Sequence, residues 1–115
     1  MLARTPLLRI HDMLEAIRGI ERAIKGKTFR DYQRSWLLRS AVERGIEVIS
    51  EASRHLTEDL KAPHRDVRWK EIAGIGNFLR HEYQNVDRRI IWRAVKNGLP
   101  ALKVALLEMK AAHER

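Results

Sequence analysis

From Leu7 to Met109 the apolar side chains recur at intervals of three and four residues, and that spacing leaves little choice of architecture. An α-helix returns to the same face about every 3.6 residues and a strand every two, so this pattern is helical. Thr5-Pro6 reads as a helix start, with threonine as N-cap and proline where a missing N–H costs nothing. The first stripe is Leu7, Ile10, Leu14, Ile17, Ile20 and Ile24, and Gly26 is placed to end it. Thr28 caps a second helix, whose stripe of Tyr32, Trp36, Leu37, Ala41, Val42, Ile46, Ile49, Ala52 and Leu56 runs until Pro63. Asp66 opens a third, through Val67, Ile72, Ile75, Phe78 and Leu79. Asn85-Val86-Asp87 reads as its exit and as the N-cap of a fourth element carrying Ile90, Ile91, Trp92, Val95 and Leu99. Asn97-Gly98-Leu99-Pro100 reads as a break or kink before a last stripe of Leu102, Val104, Leu106, Leu107 and Met109. No segment alternates with a period of two, and there is no internal repeat or low-complexity linker. The expected fold is an all-α, antiparallel four-helix bundle in a single domain over residues 1–115, its last helix kinked or split at residues 98–100. The stripes are wide and bear tryptophan, which leaves apolar surface for a partner, a second copy above all.

At 115 residues such a bundle can bury a core without covalent staples. The chain contains no cysteine, which excludes a disulfide scaffold, a zinc finger, an iron–sulfur centre and a thiol nucleophile. No apolar run approaches the roughly 18–20 residues of a membrane span. Arg4, Arg9, His11 and Asp12 interrupt any signal-peptide core, so a cytoplasmic protein is expected. The net charge is +8, and it is segregated: residues 1–40 and 88–115 are each net +5, while residues 41–87 are net −2. Two basic ends around a mildly acidic middle are the electrostatic footprint of a polyanion binder.

Histidine is the remaining candidate for chemistry. His11 with Glu15, and His55 with Glu51 and Asp59, stand one helical turn apart, a spacing that fits a solvated ion pair better than a metal site. His64 and His113 read as loop and tail residues. No second histidine falls three to five residues from another, and there is no glycine-rich phosphate loop, so no metal and no cofactor is expected. His81 differs, because Asn77 precedes it by one turn on the same helix face and Arg80 adjoins it. An amide, a permanent cation and a group that titrates near neutrality are the equipment for cleaving RNA without a metal. A solvated helix end with an incidental Arg-His pair is the other reading of the same residues.

The run at residues 69–83, ending Gly74-Ile75-Gly76-Asn77-Phe78-Leu79-Arg80-His81-Glu82-Tyr83, resembles the HepT-like family of the HEPN superfamily. So do the helix-two segment at residues 41–52 and Trp92 with Leu99-Pro100-Ala101-Leu102. The resemblance implies a homodimeric ribonuclease toxin, neutralised by a nucleotidyltransferase antitoxin that transfers AMP to a tyrosine. That family pairs an arginine with a histidine four to six residues later, and places the tyrosine two residues beyond the histidine. His81 and Tyr83 match, whereas the usual arginine position, just before Asn77, is Gly76. Two readings follow from that departure. Either Arg80, one turn beyond Gly76, supplies the cation through room left at the glycine, or the protein is a catalytically lapsed dimeric partner of the nucleotidyltransferase. A basic nucleic-acid-binding protein without catalysis is a third reading. Glu51 is a candidate to orient Arg80 or His81 across the bundle.

Overall fold

The structure is a computed structural model that describes residues 5–82 and 87–114. Among the described residues every regular element is helical. Helix α1 (Pro6–Ile24) begins where Thr5 accepts a hydrogen bond from the Leu8 N–H, and Gly26, at φ 73°, turns the chain out of it. Helix α2 (Phe29–Arg34) opens on a reciprocal cap, in which Thr28 accepts from the Asp31 N–H while the Asp31 carboxylate accepts from the Thr28 N–H.

The single long second helix expected from the sequence is broken in two. Ser35 takes an extended conformation (φ −102°, ψ 108°), and its hydroxyl accepts from the Leu38 N–H at 3.0 Å, so a new helix, α3 (Trp36–Ser53), starts there. A serine that caps competes with the helix it interrupts. The break turns Trp36 and Leu37 out of the face assigned to them; they are 72% and 73% exposed, whereas Tyr32 is 1% exposed. Helix α3 also stops ten residues before Pro63, and the short helix α4 (Glu58–Lys61) follows it. Helix α5 (Trp69–Glu82) begins three residues after Asp66, because residues 62–68 form turns. The Trp69 indole N–H donates to the His64 carbonyl at 3.0 Å and ties those turns to the helix start. Asp87 does cap the next element, α6 (Arg88–Arg93), by accepting from the Arg89 N–H; Asn85 and Val86 lie outside the described residues. The expected break near Gly98 is a π-helical turn (Ala94–Gly98), after which helix α7 (Leu99–Glu114) completes the chain.

Helix α1 packs on α3 and α7, and α3 packs on α5. Ile10, Leu14, Ile17, Val42, Ile46, Leu102 and Leu106 meet in the core between them. Helix α2 sits against α3 and α6 through Phe29, Tyr32 and Trp92, with the Tyr32 and Trp92 ring centroids 5.3 Å apart.

Burial in this cluster, with Glu43 adding to it and Arg39 and Arg88 opposing, pushes the Tyr32 hydroxyl up to about 12. The neutral phenol is favoured in the folded state, so the ionisation of Tyr32 adds no pH dependence to stability well below pH 10, the ordinary tyrosine value. Above it the unfolded chain ionises first, and stability falls until the folded value near 12 is reached. Absorbance titration at the tyrosinate band of a Tyr83→Phe protein should show the remaining tyrosine ionising late and together with unfolding.

Candidate active site on helix α5

Helix α5 carries the candidate residues, and a small-residue contact with α3 fixes its position. The Ser50 hydroxyl donates to the Ala73 carbonyl at 2.8 Å and lies 3.2 Å from the Gly76 N–H, from which it accepts. The Arg54 guanidinium also donates to the Ala73 carbonyl, at 2.7 and 3.2 Å. Gly76 faces Glu47 and Ser50 while Ala73 faces Ser50 and Arg54, so α3 and α5 run in opposite directions. The approach is close because residue 76 has no side chain. A Cβ there would fall 2.4 Å from the Ser50 hydroxyl oxygen and 2.5 Å from its Cβ.

This geometry corrects one expectation. Gly76 does not leave room into which Arg80 could reach; it is buried, and Ser50 occupies the space beside it. Leu79 is buried on the same side, whereas Asn77, Arg80 and His81 are exposed. Asn77 and His81, four residues apart, point outward together, and Arg80 lies between them and the buried face. Phe78, expected in the core, is 42% exposed, since adjacent Phe78 and Leu79 stand about 100° apart and Leu79 takes the inward place. Tyr83 lies outside the described residues.

Glu51 does not orient the histidine of α5. Its carboxylate meets His55 at 3.2 Å. That hydrogen bond, with the charges of His55, Arg54 and Arg80 adding and slight burial opposing, holds the Glu51 carboxyl below the usual carboxylate range. Arg80 therefore reaches the Glu51 field without pairing with it. His64, read as a loop residue, stands 3.4 Å from the Glu108 carboxylate of α7. Among the described residues no three histidine, aspartate or glutamate side chains are grouped to hold a metal ion.

Beside the exposed strip runs a groove of about 880 Å³ between α5 and the segment α6–π-turn–α7. Ile75, Phe78 and Ile90 give it an apolar wall, and Arg68 and Arg93 stand at its edges. Ile90 is 52% exposed, so this wall is open to a partner. Sequence reasoning passed over Ser50 and Arg54. The available signal was a pair of serines, Ser50 and Ser53, inside an apolar stripe, where a buried hydroxyl needs a partner. Ser50→Ala leaves the Gly76 side without its hydroxyl and should cost about 1–3 kcal/mol in urea unfolding.

Among the described residues no helix is long and apolar enough to cross a membrane. No solved structure matches the chain. The family profile described as ribonuclease HepT-like matches residues 13–109. The chain is 33% identical over 106 residues to a protein of Caldanaerobacter subterraneus subsp. tengcongensis that is named as an RNase, covering 92% of this chain and 95% of that one. It is 36% identical over 94 residues to a protein of Thermococcus cleftensis named as ribonuclease HepT, covering 82% and 86%. A Methanocaldococcus jannaschii protein named as an RNase is 32% identical over 94 residues, with the same two coverages. With the profile spanning most of the helices described above, the chain belongs to the HepT-like ribonuclease family.

Proposed function

We propose that this protein is a metal-independent endoribonuclease, cytoplasmic and homodimeric, built on an antiparallel four-helix bundle of α1, α3, α5 and α7, and that it is the toxin of a two-gene module. The observation that carries the reading is the outward strip of Asn77 and His81, with Arg80 on its flank, on a helix anchored through Ser50, in a member of a ribonuclease family. His81 takes the proton of a ribose 2′-hydroxyl as that oxygen attacks the adjacent phosphorus, or protonates the departing 5′-oxygen. Attack forms the new P–O2′ bond and breaks the P–O5′ bond, leaving a 2′,3′-cyclic phosphate and a 5′-hydroxyl. Arg80 stabilises charge on the phosphoryl oxygens, and the Asn77 amide donates beside it. Helix-face packing of a second copy across Phe78 and Ile90 would place two such strips together, which suits the groove and the net charge of +8.

Neutralisation is assigned to a nucleotidyltransferase antitoxin that transfers AMP to Tyr83, two residues beyond His81. The added phosphate and adenine would repel and block RNA at the strip. The filled space at Gly76 favours a second reading, in which catalysis has lapsed and the protein is a dimeric partner of the nucleotidyltransferase. Purified protein of confirmed unmodified mass, incubated with total RNA and tRNA in EDTA, decides between them. Cleavage that is lost in His81→Ala supports the ribonuclease, and no cleavage by the unmodified protein supports the lapsed partner.

A further inference from the structure

At the junction of α2, α3 and α6, two arginines converge on an uncharged group. The Arg39 guanidinium donates to the Gln33 carbonyl at 2.6 Å, and Arg88 donates to the same oxygen at 3.2 Å. Their terminal nitrogens are therefore within about 6 Å of one another. Neither makes an ion pair with a carboxylate among the described residues. Of the acids nearby, Asp31 and Asp87 cap their helices, and Glu43, which lies in the field of both arginines, makes no ion pair with either among the described residues. Like charges held this close repel, and an anion between them relieves the repulsion while using N–H donors that a carbonyl leaves free.

The surroundings are also basic and aromatic. Arg30, Arg34 and Arg89 are exposed on α2 and α6, and Lys96 lies 5.7 Å over the Trp92 ring. Trp36, one turn before Arg39 on α3, is 72% exposed, a costly place for an indole unless something stacks on it. Because α3 and α5 are antiparallel, the N-terminal end of α3, with Trp36 and Arg39, lies at the same end of the pair as His81.

We propose that Arg39 and Arg88 form a phosphate clamp and Trp36 a base-stacking platform for single-stranded RNA, a binding surface separate from the residues assigned to cleavage. The proposal rests on the ribonuclease reading and names the part of the substrate that reading leaves free: the strand beyond the scissile phosphate. Guanidinium pairs suit a phosphodiester, and an exposed indole accepts any base, so the surface holds RNA without reading its sequence.

Binding of a fluorescein-labelled single-stranded oligoribonucleotide is measured by anisotropy across a salt series, in a His81→Ala background that prevents cutting. Arg39→Gln with Arg88→Gln should weaken binding at least tenfold and reduce the slope of log K against log salt by about 0.7, the value for one phosphate. Trp36→Ala should weaken binding about tenfold with the slope unchanged, and Trp36→Phe should restore most of it. Circular dichroism and melting of the same variants confirm that the substitutions leave the fold intact. In proteins with His81 intact, the clamp variants should raise KM for long RNA and leave kcat and dinucleotide cleavage unchanged. Unaltered RNA affinity and slope in the variants overturn the clamp while a cleaving wild type keeps the ribonuclease reading. Loss of a protein complex with RNA binding unaltered also overturns it, in favour of a protein-docking corner. A protein that binds RNA normally at this corner yet cleaves nothing instead removes the ribonuclease reading and leaves the clamp standing.

Discussion

Replacing Gly76 with alanine is expected to destabilise the protein by about 1–3 kcal/mol, and replacing it with arginine by more, with no gain of cleavage. A Cβ at this position would sit 2.4–2.5 Å from the Ser50 side chain, inside van der Waals contact. The nearest atoms are the short, stiff end of Ser50 and the α3 backbone at Glu47, so nothing flexible can swing away. The helices must separate, and doing so lengthens the hydrogen bonds from Ser50 to Ala73 and from Gly76 to Ser50. For a domain of this size each kcal/mol lowers Tm by about 3–6 °C, which a thermal melt resolves easily. The cost should be less than additive in the double variant Gly76→Ala with Ser50→Gly, because removing the serine side chain creates the space the new methyl needs. A Gly76→Arg protein that melts with the wild type and cleaves RNA faster would show that α5 is not locked in this way, and that the family's arginine could have been kept here.

His81→Ala should lower RNA cleavage by about 10²–10⁴-fold while leaving Tm within a degree or so. The imidazole is exposed, so lost activity with an unchanged melt would report chemistry rather than unfolding. Arg80→Ala should lower cleavage by about 10²–10³-fold, the range for losing one charge-stabilising group. Arg80→Lys should recover part of it, since lysine keeps the charge but not the fork of donors. Equal activity of Arg80→Ala and the wild type would remove Arg80 from the mechanism without touching His81. Initial rates on a defined oligonucleotide in EDTA, taken beside a melt of each variant, separate these outcomes.

Much of the fold was legible because it depends on neighbours in the chain. Apolar spacing, the Thr5 and Thr28 caps, the turn at Gly26, the Asp87 cap and the break near Gly98 all depend on residues within one or two turns. The break at Ser35 was not legible for a related reason: a serine inside a continuous stripe can either extend the helix or cap a new one, and periodicity alone favours the first. The outward placement of Asn77 and His81 was legible on the same grounds, through helical geometry.

Contacts between distant segments were not legible. Nothing local marks Gly76 as the point where α5 meets Ser50, 26 residues earlier, and the sequence alone suggested open space there. Nor does anything local bring Arg39 and Arg88, 49 positions apart, onto the Gln33 carbonyl. Sequence by itself determined that the chain is helical and where most caps and breaks fall, because backbone geometry and capping act over a few residues. Only the tertiary structure decided which small residue is a contact rather than a gap, and which charges are left facing one another. Those outcomes depend on how α3, α5 and α6 pack, and packing is set by the whole core at once.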